Sequence, residues 1–337
     1  MCDFVKKWIS CDVCHGKLKK PHHPKLKPGE CCGGTLQGTV LGDSDGTVED
    51  YKVLTSGGCV EFKENTFYCR DRNLQLVIVY LEADGALPAG VSLQLLSDSC
   101  DLDPVLNVGL NESIVFQTCQ TDCDTAGDFS LQLVNTSLNP LPDEVTATVQ
   151  IVCGPLKCPG YKSLCKCCSG LYSVECTTIG AEKVPLRLKA FSGKQCTCLV
   201  DTAISVEARL GKVQQVLANL TLIRKTCGEI STTQCPTTTA APTSTTAAPT
   251  TAAPTTLAPV DDEVSVCLLG TNAAGATVTC GAPQVISWPA GEDITIPALV
   301  FNTESCALDG PWSVAVSVSP TVEASVASGY VQVIASL

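Results

Sequence analysis

The sequence predicts an all-β protein of tandem antiparallel β-sandwich or jelly-roll domains, with an extended N-terminal connector and a disordered Thr/Pro linker biased to polyproline II. Short β-rich runs separated by turn residues recur about every 15–20 residues without helical spacing. Aromatic residues make up only 5% of the chain, so the cores must be aliphatic and β-branched. Twenty-three cysteines in 337 residues indicate that disulfides stabilise these small cores.

Five segments are predicted along the chain. Residues 1–32 have no sustained period and contain three prolines, which indicates a basic connector arm. A first β-sandwich or jelly-roll domain follows at 33–153. A second, cysteine-rich β domain is predicted at 154–235, where 212–227 alternates as a strand would. The predicted strands lie at 74–83, 91–97, 112–119, 128–136, 144–153, 184–191, 197–208, 212–227, 264–269, 277–280, 285–288, 294–302, 312–319 and 330–336.

Residues 236–259 are a Thr/Pro tract with ten threonines, seven alanines, five prolines and no charge. As polyproline II its 24 residues reach roughly 75 Å, which fits a spacer before a C-terminal immunoglobulin-like sandwich at 260–337. A mucin-like stalk is the alternative. Its candidate O-glycosylation sites are Thr237, Thr238, Thr243, Thr245, Thr250 and Thr255.

The net charge of −12 is unevenly distributed. Residues 1–32 carry seven lysines and three acidic residues, a balance of +4, so the remaining chain sums to −16. An acidic body repels nucleic acid, which excludes it as a partner. A basic arm on an acidic body favours docking onto a copy of itself, and a solvated flexible tail is the alternative.

The cysteine density is typical of oxidised extracellular proteins, so we expect a cell-surface or spore-surface location. No apolar run typical of an export signal precedes Leu74. Either the chain is processed, or it is made in a reducing compartment and oxidised on release. No apolar stretch of about 18 residues is present, so no membrane span is predicted.

Cys11, Cys14 and His15 form a C-x-x-C-H sequence, the attachment motif of c-type haem. His22 or His23 could supply a second axial ligand. Zinc is a second interpretation, with Cys11 and Cys14 joined by Cys31 and Cys32 or by the two histidines. Disulfide bonding of the same cysteines is the third, and it leaves the protein without a cofactor.

The sequence contains two pairs of adjacent cysteines, Cys31 with Cys32 and Cys167 with Cys168. Neighbouring cysteines rarely bond to each other, so each pair should reach two different partners. On an arm, those partners can belong to other chains. The candidate interchain cysteines are Cys2, Cys11, Cys14, Cys31, Cys32, Cys167 and Cys168.

Enzyme motifs are missing from the sequence. It contains no G-x-S-x-G elbow, phosphate-binding glycine loop or H-E-x-x-H zinc motif. Its three histidines all lie in the arm, away from any serine or cysteine that could form a triad in the body. We therefore expect no catalytic activity.

This combination resembles the subunits of bacterial endospore appendages, in which an N-terminal connector with a Cys or Cys-Cys motif precedes a jelly roll. The matching residues are Cys31 and Cys32, with Cys2, Cys11 and Cys14 as further arm thiols. The strand stretch 109–118 (GLNESIVFQT) is also similar. The resemblance covers mainly 1–153 and implies an arm that forms disulfides to other subunits, with lateral strand pairing between jelly rolls. The second cysteine-rich unit, the tract and the last domain depart from the single-domain family.

The leading hypothesis is a structural subunit of an extracellular, disulfide-cross-linked filament, a spore appendage or pilus-like fibre. It would polymerise with copies of itself, head to tail, through the arm. A haem- or metal-binding surface protein using Cys11, Cys14 and His15 is one alternative. A secreted adhesin or cell-wall protein with a mucin-like stalk is the other, with a surface ligand or glycan for the C-terminal domain.

Overall fold

The computed structural model describes residues 30–41, 46–97, 100–118, 127–155, 167–191, 196–209, 211–227, 262–306, 308–319 and 324–336. Almost all of this part of the chain is antiparallel β-structure, which confirms the predicted fold class. Within the described residues, short 3₁₀ turns lie at Asp201–Ala203 and Thr303–Ser305. The strands are β1 (Cys32–Leu41), β2 (Glu49–Ser56), β3 (Val60–Lys63), β4 (Thr66–Cys69), β5 (Asn73–Ala83), β6 (Val91–Ser97), β7 (Cys100–Asp101), β8 (Val105–Leu106), β9 (Ser113–Gln117), β10 (Phe129–Asn135), β11 (Glu144–Gly154), β12 (Cys167–Val174), β13 (Thr177–Ile179), β14 (Val184–Pro185), β15 (Leu188–Ala190), β16 (Thr197–Val200), β17 (Ser205–Ala208), β18 (Lys212–Ile223), β19 (Asp262–Thr271), β20 (Thr277–Trp288), β21 (Ile294–Asn302), β22 (Asp309–Val318) and β23 (Ala324–Ser336).

The strands from β1 to β11 form a first sandwich. Its first inner sheet has the order β2-β1-β11-β5-β9, and its first outer sheet has the order β3-β4-β10-β6-β7, with β8 beside β6. Counting β1, β4, β5, β6, β7, β9, β10 and β11 as eight successive strands, the sheets read 1-8-3-6 and 2-7-4-5. This is the strand order of a jelly roll.

Side chains on the inward-facing side of each strand fill the core of the first sandwich. Along β11, Val145, Val149 and Ile151 are fully buried in the core between the two sheets. The rings of Phe67 and Phe129 stack there with their centroids 6.3 Å apart. Because both faces of β11 are buried toward its Gly154 end, the side chains on its other face must pack against something outside this sandwich.

The strands from β12 to β23 form a second sandwich with the same strand order. The second inner sheet is β15-β12-β23-β18-β21, and the second outer sheet is β16-β17-β22-β19-β20. Taking β12 and then β17 through β23 as eight successive strands again gives 1-8-3-6 and 2-7-4-5. The chain therefore contains two jelly rolls.

This arrangement corrects the predicted domains 154–235 and 260–337. In the second inner sheet, β12 pairs with β23 from Cys167↔Ser336 to Ser173↔Tyr330, and β18 lies between β23 and β21. Strands from both sides of the Thr/Pro tract thus alternate in the same sheet. Neither segment contains a complete pair of sheets, so neither can bury its own core, and the C-terminal segment is half of a jelly roll instead of an immunoglobulin-like domain.

The Thr/Pro tract and its candidate O-glycosylation sites lie outside the described residues, but the ends of β18 and β19 flank them. Arg224 Nη1 lies 2.6 Å from Asp262 Oδ2, and the Arg224 guanidinium lies 4.5 Å from the centroid of the Trp288 ring. These contacts hold the end of one strand against the start of the next. The tract is therefore an insertion within one sandwich and does not separate two domains.

We predict that residues 262–337 expressed alone will not fold, because β21 and β23 lose their partners β18 and β12. A chain in which a short Gly-Ser connection replaces 229–260 should fold, because both halves of the sandwich remain. Thermal unfolding followed by circular dichroism checks both. A cooperative transition in the isolated segment, or its loss in the shortened chain, would contradict the shared sandwich.

Candidate functional site: a covalent arm root between two sandwiches

The two inner sheets pack against each other, so the molecule has four layers. A small apolar cluster lies between them, with Val152 from the first sandwich and Leu217 and Ile334 from the second, all fully buried. Partly buried Leu76 and Val300 pack against this cluster.

A buried polar network shares this seam with the apolar cluster. The side-chain oxygen of Gln332 accepts hydrogen bonds from the hydroxyls of Thr35 (3.2 Å) and Thr55 (2.7 Å). Its amide nitrogen donates to Ser169 Oγ at 3.0 Å, and the amide of Gln150 donates to the same oxygen. Buried polar groups are costly without partners, so this network favours a single relative position of the two sheets.

The arm joins the body at residues 30–32, which we call the arm root. Cys31 is bonded to Cys167 of the second sandwich with a Cα–Cα distance of 5.6 Å, and Cys32 is bonded to Cys59 of the first with 6.4 Å. Arg72 Nη1 donates to the carbonyl of Glu30, and burial lowers the pKa of Arg72. Two adjacent residues therefore fasten the arm to two different sandwiches.

Side chains from the two sandwiches also hold the backbone at this disulfide. The Cys31 amide donates to Gln214 Oε1 at 2.8 Å, and the Cys167 amide donates to Gln75 Oε1 at 3.2 Å. Each amide is thus bonded to a glutamine of the opposite sandwich. Both cysteines are buried, with exposed fractions of 1% and 4%.

The prediction that vicinal cysteines reach different partners agrees with these bonds, since Cys168 is bonded to Cys196. Their assignment to interchain bonds is corrected. Cys31, Cys32, Cys167 and Cys168 are all bonded within the chain, because β1 and β12 begin at the same end of the seam. Cys2, Cys11 and Cys14 lie outside the described residues.

Bonded sulfurs also bear on the zinc interpretation. The Sγ atoms of Cys32, Cys59 and Cys153 lie within 4.8 Å of one another, but they belong to the Cys32–Cys59 and Cys69–Cys153 disulfides. A disulfide sulfur is not a thiolate ligand. Cys31 and Cys32 therefore do not fit the predicted zinc set. The other zinc and haem candidates, Cys11, Cys14, His15, His22 and His23, lie outside the described residues.

Two further disulfides, Cys176–Cys227 and Cys280–Cys306, lie within the second sandwich. Among the described residues, Cys198 and Cys267 are free. Cys267 is buried, and burial raises the pKa of its thiol. Cys198 is half-buried on β16, an edge strand of the second outer sheet, with Sγ 3.9 Å from Glu207 Oε1.

Sequence reasoning missed the seam and the partners of the arm root. The signal for the seam was the presence of glutamines such as Gln75, Gln150 and Gln332 inside otherwise apolar strands. A polar side chain at such a position indicates a second buried face with polar partners. No pattern in the sequence indicated that Cys59 would be bonded to Cys32, or Cys196 to Cys168.

No protein-family model matches the chain, and no curated protein matches it. Solved structures of infectious bursal disease virus match it weakly. The Gt strain structure has a TM-score of 0.24 at 10% identity, covering 94% of this chain and 75% of the viral one. The VP2 subviral particle has a TM-score of 0.25 at 10% identity with the same coverage.

The described part of the chain is a disulfide-stabilised all-β protein. None of its helices is long and apolar enough to cross a membrane. Its distinctive site is the arm root together with the seam between the sandwiches.

We predict that Gln332→Ala will lower the free energy of unfolding by about 2–3 kcal/mol, because it leaves buried threonine hydroxyls without an acceptor. Gln117→Ala, on the exposed face of β9, is the matched control and should change it by less than about 0.5 kcal/mol. Chemical denaturation measures both. Equal effects of the two substitutions would contradict the structural role of the network.

Proposed function

We propose that this chain is a structural subunit of an extracellular, disulfide-cross-linked filament, which assembles head to tail through its N-terminal arm. The observation that carries the proposal is the arm root. Cys31 and Cys32 fasten the point where the arm leaves the body to both sandwiches. A free tail needs no such attachment, whereas a connector that joins subunits does.

The internal bonds narrow the choice of interchain cysteines. Cys31, Cys32, Cys167 and Cys168 are already used, which leaves Cys2, Cys11 and Cys14 of the predicted set. Interchain bonds of this kind make dissociation depend on reduction as well as on loss of contacts.

Charge and polarity support assembly by the arm. In the first inner sheet, Cys32 and Cys153 pair at the end where the arm joins, and Leu41 and Glu144 pair at the opposite end. Glu82 and Glu49 lie near that opposite end. The arm root and these carboxylates thus lie at opposite ends of the first inner sheet. A head-to-tail contact needs two different, complementary surfaces, and the positive charge of the arm sequence and these carboxylates support such a contact.

An oxidising environment is required for so many disulfides, which supports a surface or extracellular location. The resemblance to endospore appendage subunits points to the same kind of assembly. On this proposal the second jelly roll and the Thr/Pro insertion extend the family's single-domain plan.

We predict that native protein will give a ladder on a denaturing gel without reductant and one band with it. The variant Cys2→Ser, Cys11→Ser, Cys14→Ser should lose the ladder and keep its folded body. Cys31→Ser with Cys167→Ser is the matched control and should retain the ladder, because its bond lies within the chain.

A ladder that persists in the triple variant, or a monomeric native protein, would contradict the proposal. The visible absorption spectrum of the same sample tests the alternative. A Soret band would assign Cys11, Cys14 and His15 to haem instead.

A further inference from the structure

Three disulfides form one continuous covalent line across the seam. Cys59 is bonded to Cys32, its neighbour Cys31 is bonded to Cys167, and the next residue, Cys168, is bonded to Cys196. Peptide bonds within the two vicinal pairs connect the three disulfides. The line runs from the first sandwich, past the arm root, into the second.

The middle disulfide closes a loop that contains the whole first sandwich. Its cysteines are 136 residues apart, and the strands of the first sandwich, from Cys32 to Gly154, all lie between them. A pull on the arm reaches Cys31 and crosses the disulfide to Cys167 at the start of β12. The applied force therefore does not have to pass through residues 32–166.

We infer that the arm root is a tension anchor, which passes a pull on the arm directly to the second sandwich and shields the first sandwich from it. Weak noncovalent contacts hold the sheets together. The route from Cys31 through its disulfide to Cys167, which we call the bypass, is covalent. The first sandwich therefore keeps its shape while the arm and the second sandwich are pulled apart. If the first sandwich is itself held, Cys32–Cys59 connects the arm to it just as directly.

The inner disulfides of the first sandwich provide a sharp test. Cys69 and Cys153 are 84 residues apart and both lie inside the bypassed loop. If the bypass operates, removing their bond adds nothing to the length that a pulled molecule releases. If the pull runs through the first sandwich, the same change adds 84 residues, roughly 280–300 Å.

The experiment is single-molecule force spectroscopy of the oxidised full chain, held at residues 1 and 337. Every molecule carries Cys2→Ser, Cys11→Ser and Cys14→Ser to prevent cross-linking. Adding Cys69→Ser with Cys153→Ser should leave the total released length unchanged. Adding Cys31→Ser with Cys167→Ser should lengthen it by about 25 residues, roughly 80–90 Å, because the loops of 27 and 84 residues remain closed.

An increase of 84 residues in the Cys69 and Cys153 variant would overturn the inference. A second measurement needs no substitution in the body. Reducing the background chain should lengthen it by at least 136 residues, roughly 450–490 Å, and equal lengths before and after reduction would also overturn it. Both measurements use isolated molecules, so their outcome is independent of whether the subunits polymerise.

Discussion

Two adjacent cysteines, Cys31 and Cys32, impose the constraint on which the rest of the molecule depends. Cys32 begins β1 and belongs to the core of the first sandwich, whereas Cys31 directly precedes the strand and belongs to the cluster in the seam. One therefore reaches the core of its own sandwich, and the other reaches across the seam to Cys167. Two adjacent residues thus join the arm to both jelly rolls.

The seam between the jelly rolls differs from the cores on either side of it. Each core is almost wholly aliphatic and aromatic, whereas the seam combines a few apolar side chains with hydrogen-bonded glutamine, threonine and serine. Apolar contacts alone would allow the sheets to slide over each other, because they have no direction. The bonds of Gln332 to Thr35, Thr55 and Ser169 require one register, and the Cys31–Cys167 disulfide holds the same position covalently.

Local patterns predicted many of the strands after residue 73, including β18, whose alternation favoured a strand over a helix, but β1 to β4 and β12 were not among the predicted strands. The division of the second half was not predictable in the same way. The Thr/Pro tract has the composition of a linker, yet the pairing of β12 with β23 joins residues more than 150 positions apart. Composition shows where a chain cannot fold and does not show which strands meet across the gap. The disulfide partners of the adjacent cysteines were not predictable either. Their spacing argues against a bond between neighbours but does not identify the cysteines to which they are bonded.

Disulfide mapping of the native protein tests most directly whether the arm root is bonded to both sandwiches. The protein is digested without reductant at acid pH, and the cross-linked peptides are fragmented by mass spectrometry between Cys31 and Cys32 and between Cys167 and Cys168. We expect one cluster in which Cys59 is bonded to Cys32, Cys31 to Cys167 and Cys168 to Cys196. Bonds from Cys31 or Cys32 to a second chain, or a free Cys167, would contradict the proposed arm root.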